Sequence, residues 1–319
     1  MDVLADPSRP WTALNVGPAH AFFLSSPPGL PAALVKATRP PVDPLPASLT
    51  QGSPARLPDF RVSKTTHENA EYSHHLCTVP GLPAPEYNLE VIAPASEKQI
   101  RRAAPDEGSA MVRETPALYA AAVEPLLASA AAASLAWVYN CVSLSSESER
   151  VLLNSGAASD GFILNVDTKW KKHCDCRLPR EEWKDHEDTD LEGLYCLAIV
   201  KERGIKSIRD LTATHLPLLR SILSAGPAAI QDTYGVKPDQ LRVFLHYVPQ
   251  FYHLHVHFTS LATDFGVQCE RAHLLNDVVQ NLEMDPDYYK KRTIEYKLPV
   301  NDKIYERIQE YRASNPSTS

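Results

Sequence analysis

The chain has 319 residues, enough for about two domains that each bury a core, and 44% hydrophobic with 22% charged residues is the composition of a folded protein despite 27 prolines. These values exclude a disulfide-stapled miniprotein and wholesale disorder. The formal net charge of -7 argues against a surface that grips long nucleic acid through its phosphates, and no apolar run reaches the roughly 18 residues of a membrane span.

Residues 1–60 hold twelve of the 27 prolines, yet apolar segments at 21–24 and 32–35 sit between the proline and glycine breaks and predict small β-structure. Residues 89–93 predict another short strand, and Ser96 is placed to cap a helix over 97–102. The run Ala-Pro-Asp-Glu-Gly-Ser at 104–109 has the composition of a linker, so a domain boundary is expected there. The expected organisation is an N-terminal domain over 1–103, a hinge over 104–112 and a C-terminal domain over 113–319.

Beyond the hinge, residues 118–133 and 137–144 are helix-prone, and 150–153 and 162–166 predict strands. Residues 171–192 are highly charged and read as a mobile insertion loop. Their His173-Cys174-Asp175-Cys176 run resembles a fragment of a metal site, but Cys-x-Cys without a second pair is a weak signal. A buried strand over 194–200, an amphipathic helix over 212–234 facing Leu216, Leu219, Ile222 and Leu223 inward, a helix over 271–282, a strand over 293–298 and a helix over 302–311 complete the pattern. The fold class expected is α+β. Six scattered cysteines and no secretory signal at the start fit a reducing compartment.

The most informative segment is 241–261, two alternating runs around a turn. Side chains on a strand point to opposite faces with period two, so His253, His255 and His257 share one face and Leu254, Val256 and Phe258 the other. A four-residue loop at 249–252 would set Val248 opposite His253 and His246 opposite His255, making four imidazoles converge on a surface. Such a cluster can be unrelated solvent-facing residues, a His₃ zinc site, or a nucleophilic centre where a neutral imidazole attacks phosphorus and its neighbours bind the phosphate oxygens. No carboxylate in the strand is placed to orient zinc ligands, and nucleophilic catalysis is the favoured reading.

His253-Leu-His-Val-His-Phe-Thr259 resembles the His-x-His-x-His-x-x signature of the histidine triad superfamily of nucleotidyl hydrolases and transferases. Its flanks, Leu245-His-Tyr-Val-Pro and Glu270-Arg-Ala-His-Leu-Leu, resemble one branch, the scavenger mRNA decapping enzymes. Trp137-Val-Tyr-Asn, Asp160-Gly-Phe-Ile, Asp167-Thr-Lys-Trp, Arg203-Gly-Ile-Lys-Ser-Ile-Arg-Asp-Leu and His215-Leu-Pro-Leu-Leu-Arg follow in family order, covering most of 113–298. Before the hinge the likeness thins to Asn69-Ala-Glu-Tyr-Ser73 and Pro94-Ala-Ser-Glu-Lys98.

This resemblance implies a histidine triad catalytic domain with an antiparallel sheet and helices, preceded by a mainly β lid domain. It implies hydrolysis of m7GpppN and short capped oligonucleotides to m7GMP and a diphosphate product, with His255 as nucleophile and His246, His253 and His257 supporting it. Lys169 and Arg271 are implied as phosphate contacts, Trp137 as the stacking partner of the cationic methylated base, Glu147 as acceptor for the guanine N1 and N2 donors, and Asp167 as a nucleoside contact. Asn69 and Tyr72 match an N-domain pair that reaches the cap in a domain-swapped homodimer. No metal or cofactor is required, no membrane or long nucleic acid partner is expected, and cytoplasmic and nuclear localisation is implied.

Three positions depart from the family pattern. Val166 replaces a proline, Thr168 replaces an apolar residue that covers the base opposite the tryptophan, and Phe251 stands where a tyrosine is common. Another histidine triad hydrolase, acting on dinucleoside polyphosphates or phosphoramidates, would share His255 without depending on Trp137. A non-catalytic cap-binding protein would keep the pocket and turn nothing over.

Overall fold

The computed structural model describes residues 11–16, 20–26, 31–38, 61–68, 72–78, 87–95, 99–100, 103, 108–130, 135–156, 160–264 and 266–315. The chain divides into two compact units, residues 1–108 with 299–302, and residues 109–298 with 303–319. The division falls after Gly108, and 299–302 go with the first unit. Residues 104–107 of the expected hinge, Asn69, and most of the helix expected over 97–102 lie outside the described residues.

The first unit holds a six-stranded antiparallel sheet of β1 (Thr12–Val16), β2 (His20–Ser25), β3 (Ala33–Thr38), β4 (Arg61–Glu68), β5 (Tyr72–Thr78) and β6 (Tyr87–Ile92), in the order β1-β2-β3-β6-β5-β4. The strands expected at 21–24, 32–35 and 89–93 form its centre. Ala33, Val35 and Ala37 are buried, and Val35 lies between Phe23 and Val91, so β-branched and aromatic side chains fill the middle of the sheet.

The second unit is α+β. It opens with β7 (Ser109–Glu114), which pairs with β14 (Ile294–Pro299). The helix expected over 118–133 is a short helix at Pro116–Leu118 running through a π turn, Tyr119–Val123, into α1 (Glu124–Ala130). Next come α2 (Ala136–Val142), β8 (Val151–Ser155), β9 (Phe162–Val166), β10 (Tyr195–Val200), α3 (Leu216–Tyr234), β11 (Leu241–His246), β12 (His255–Ser260), β13 (Ala272–Leu274), α4 (Leu275–Met284), α5 (Tyr288–Lys291) and α6 (Lys303–Ser314). The main sheet has the order β13-β11-β12-β10-β9-β8 and all its pairs are antiparallel.

Period-two alternation gives this sheet two different faces. Val256, Phe258, Ala198, Phe162 and Leu164 join Leu218, Leu219 and Ile222 of α3 in the larger core. On the opposite face Ile163, Leu197 and Ile199 pack with Val138 and Cys141 of α2. His255 and His257 belong to this second face, opposite Ile199 and Leu197. The imidazoles were expected to line a surface, but covering elements leave His253, His255 and His257 only 2%, 3% and 1% exposed.

Three further expectations need correction. The helix expected to begin at Arg271 begins at Leu275, because residues 272–274 first pair with β11. The hairpin loop is eight residues, 247–254, instead of four, so His253 lies off the strand. Its carbonyl and ring bind elsewhere, as described below.

The segment 171–192 is not a mobile loop. Its short turns bring Cys174, Cys176 and Trp183 into the core, where His173 lies between Trp170 at 4.6 Å and Trp183 at 5.3 Å. Nδ1 of His173 donates to the Cys174 carbonyl at 2.7 Å, and Nε2 meets the Tyr234 hydroxyl at 2.8 Å, so both ring nitrogens are committed. Among the described residues no group of three or more His, Cys, Asp or Glu side chains can hold a metal ion, and no helix is long and apolar enough to cross a membrane.

Close packing fixes the apolar side of the histidine strand. Gly226 of α3 faces Phe258, and a Cβ added there would stand 2.6 and 2.7 Å from Phe258 ring atoms, inside any real contact. Gly226→Ala should therefore destabilise the protein by about 1–3 kcal/mol in urea unfolding, despite the roughly 1 kcal/mol helical advantage of alanine. Equal or higher stability would refute this account of the packing.

Candidate active site

The site grows from the point where β11 and β12 part. The ladder runs from Leu241 opposite Ser260 to Phe244 opposite His257, after which β11 continues along β13 with His246 opposite Ala272. The connection 247–254 then folds back so that the His253 carbonyl accepts from Nδ1 of His255 at 2.7 Å. Because a carbonyl has no proton to give, this bond fixes the proton on Nδ1 and leaves the lone pair on Nε2. Nε2 of His255 is buried and has no hydrogen-bond partner among the described residues.

The same rule settles two more rings. Nε2 of His253 donates to the Val200 carbonyl at 2.7 Å, and Nε2 of His246 donates to the Gly266 carbonyl at 2.7 Å. His257 differs, since its Nδ1 meets the Tyr195 hydroxyl at 3.0 Å, a group that can donate or accept, while its Nε2 is buried without a partner among the described residues. The His246 and His257 rings lie 4.3 Å apart and those of His255 and His257 5.0 Å apart. Tyr195 escaped the sequence reading because it meets the histidines only through a register across strands, opposite Thr259.

Burial dominates the electrostatics. It pushes the pKa of His255 down to about 3 and that of His246 down to about 4, and lowers those of His253 and His257 as well. Lys169 and Arg271 act in the same direction on both His246 and His257, which places positive charge beside these rings. All four rings are thus neutral at pH 7, the state in which an imidazole nitrogen can attack or bind.

Lys169 is held by Asp167, whose Oδ1 accepts from the Lys169 backbone N–H at 2.8 Å and whose Oδ2 lies 3.7 Å from Nζ. Nζ lies 5.1 Å from the centre of the Tyr195 ring. Arg271 Nη2 donates to the Val248 carbonyl at 3.1 Å, which ties it to the connection. Lys169 and Arg271 therefore join the histidines.

Trp137 is carried by α2, which buries Val138 and Cys141, and stays 40% exposed, high for an indole. Its ring meets Phe251 edge-on at 4.9 Å, and Phe251 in turn stacks flat on His255 at 3.9 Å. Phe251 thus links the tryptophan to the central histidine, a contact the sequence reading did not foresee. Glu147 sits in the left-handed region at φ 56°, an uncommon conformation for a non-glycine residue that costs free energy. Its Oε2 is 4.0 Å from Nε of Arg150, which donates to the Val166 carbonyl at 2.9 Å, so the Glu147 turn is tethered beside Asp167.

Of the two N-terminal residues singled out, Asn69 is not described. Tyr72 lies on β5 of the first unit, where the Gln99 amide donates to its hydroxyl.

Residues 136–273 match a protein family described as "Scavenger mRNA decapping enzyme C-term binding". The chain is 39% identical over 270 residues to m7GpppX diphosphatase of Bos taurus, covering 84% of this chain and 72% of that one. To the m7GpppX diphosphatase of Homo sapiens it is 40% identical over 225 residues, or 70% and 61% of the two chains. To that of Ascaris suum it is 35% identical over 245 residues, or 76% and 75%.

The depressed histidine pKa values fix a sign for stability. Between the unfolded value near 6.5 and the folded values of about 3 and 4, the unfolded chain binds more protons. Stability should be full above pH 6.5 and fall as the pH drops, by roughly 1 kcal/mol per pH unit for each such histidine. Urea unfolding at pH 6.5 and 5.0 checks this, and unchanged stability between them would contradict neutral burial of these rings.

Proposed function

The chain belongs to the scavenger mRNA decapping family, and from that footing we propose that it hydrolyses m7GpppN and short capped oligonucleotides to m7GMP and a diphosphate product, with His255 as the attacking group. The observation that carries this reading is the His255 ring: Nδ1–H is spent on the His253 carbonyl, and the Nε2 lone pair is buried in a ring that lies beside His257 and feels the charge of Lys169.

In the reaction, Nε2 of His255 forms a bond to the phosphorus next to 7-methylguanosine. The bond from that phosphorus to its bridging oxygen breaks, and the nucleoside diphosphate leaves with the electron pair. Water then adds to the phosphorus, the P–N bond breaks, and m7GMP departs. Lys169 and Arg271 supply positive charge and hydrogen bonds around the phosphates, and His246, His253 and His257 support His255 in a setting from which burial already excludes water. No step draws on a metal ion.

Selectivity for the methylated base rests on Trp137, whose exposed indole face attracts a cationic ring more than a neutral one. Glu147 accepts from the guanine N1 and N2 donors, and Asp167 meets the nucleoside. Thr168 offers less apolar area opposite the indole than the family pattern, so the stacking on Trp137 carries more of the discrimination here. The working assembly in this reading is a homodimer in which Asn69 and Tyr72 of a swapped N-terminal unit reach the cap. It acts in the cytoplasm and nucleus, where free cysteines such as Cys174 and Cys196 stay reduced.

His255→Asn should bind m7GpppG near normally while turnover falls more than 1000-fold, measured by product chromatography; activity within tenfold of the parent would remove His255 from the nucleophilic role. Trp137→Ala should weaken m7GpppG far more than GpppG in a binding titration. An equal loss on the two ligands would rule out the stacking argument and favour a hydrolase of unmethylated dinucleotides.

A further inference from the structure

Four buried polar atoms of the second unit have no hydrogen-bond partner among the described residues and share one face of one sheet: Asn165 Oδ1, His255 Nε2, His257 Nε2 and Thr259 Oγ1. A buried acceptor without a donor costs free energy, so each one calls for an explanation, and a ligand that supplies the donor is one. The two imidazole nitrogens are accounted for by the proposed phosphate chemistry. Asn165 is not. It interrupts the apolar strand Phe162-Ile-Leu-Asn-Val166, is 5% exposed, and no role assigned above needs it.

Its position across the sheet says what it can reach. Asn165 lies opposite Leu197 and Leu197 opposite His257, so Asn165 occupies the same transverse row as His257, two strands away, or about 10 Å between Cα atoms. On its other side it faces Val151, the first residue after the Glu147–Arg150 turn. Arg150 ties that turn to the carbonyl of Val166, the residue after Asn165. The Glu147 turn thus lies at the β8 and β9 edge, His255 and His257 lie on β12, and Asn165 stands between them.

We infer that Asn165 is a substrate-binding residue whose Oδ1 accepts a hydrogen bond from a ribose hydroxyl of the capped guanosine. A ribose is the part of a nucleotide that lies between base and phosphate, and its hydroxyls are donors, as an orphaned carbonyl oxygen requires. The carboxylate of Asp167, two residues further along the chain and just past the end of β9, takes the neighbouring polar group of the nucleoside. Asn165 thereby extends the proposed cap site, and the inference rests on that reading of the function.

The test exploits opposite effects on stability and binding. Asn165→Leu conserves shape and removes the orphaned oxygen, so the melting temperature of the full chain should rise. Its kcat/KM for m7GpppG should fall about tenfold, the value of one hydrogen bond to a ligand. On m7GpppG lacking the contacted 2′ or 3′ hydroxyl of the methylated nucleoside, parent and variant should become equal. Titration with m7GMP reads the same difference without turnover, and Asn165→Ala repeats the comparison should the leucine variant fail to fold. A variant within twofold of the parent on m7GpppG, or one that loses equally on every sugar, overturns the inference while the parent's cleavage leaves the proposed function standing. A parent that neither binds m7GMP nor cleaves m7GpppG overturns both.

Discussion

The site depends on hydrogen bonds whose direction cannot reverse. His246, His253 and His255 each give a ring proton to a backbone carbonyl, of Gly266, Val200 and His253 respectively, and a carbonyl can only accept. The tautomer of each ring is therefore dictated by the path of the main chain, and no rotation of a neighbouring side chain can change it. For His255 the consequence is chemical: the nitrogen left with the lone pair is the one that points away from the strand's own backbone. Gly266, at φ 81°, adopts a conformation that suits glycine, and its carbonyl reaches His246 from there.

Burial makes this arrangement effective and also expensive. Taking the imidazoles out of water keeps them neutral, since desolvation penalises the charged form. The same burial leaves polar atoms without partners among the described residues, a cost that the cores on both sides of the sheet must offset. Phe258 against Gly226 on one face, and Val138 and Cys141 against Ile163, Leu197 and Ile199 on the other, provide that packing. A second anchor lies at Tyr247, the residue after His246. Its hydroxyl donates to Glu114 at 2.6 Å, and Glu114 also accepts from Arg209 at 2.7 Å and Tyr296 at 2.6 Å. Removing one member would leave a buried charge or acceptor exposed to no solvent, so this junction fixes where the connection 247–254 begins.

Much of this is legible along the chain because periodicity is local. The alternation in 253–258 assigns His255 and His257 to one face and Val256 and Phe258 to the other, as the two cores require. The register that sets His246 across from His255 is the one in which Phe244 lies opposite His257, but the ladder ends there, while β13 pairs along the other edge of β11. The eight-residue connection is held by partners such as Arg271, whose Nη2 donates to the Val248 carbonyl, and a turn read from two strands alone has no information about them. The charged segment 171–192 misleads for a related reason: its Trp183 and His173 find their partners on α3, far away in sequence, at Tyr234.

By itself the sequence determined the histidine face and the helical and strand segments that carry it, because these follow from spacing and side-chain chemistry, whereas Trp137, Glu147, Lys169 and Arg271 were singled out by family likeness and not by spacing. Only the tertiary structure decided that the imidazoles are buried and neutral, that carbonyls fix their tautomers, and that Tyr195, Phe251 and Asn165 belong to the same face. Those facts depend on which strands lie side by side and on what covers them, and contacts between distant segments leave no mark in the order of residues.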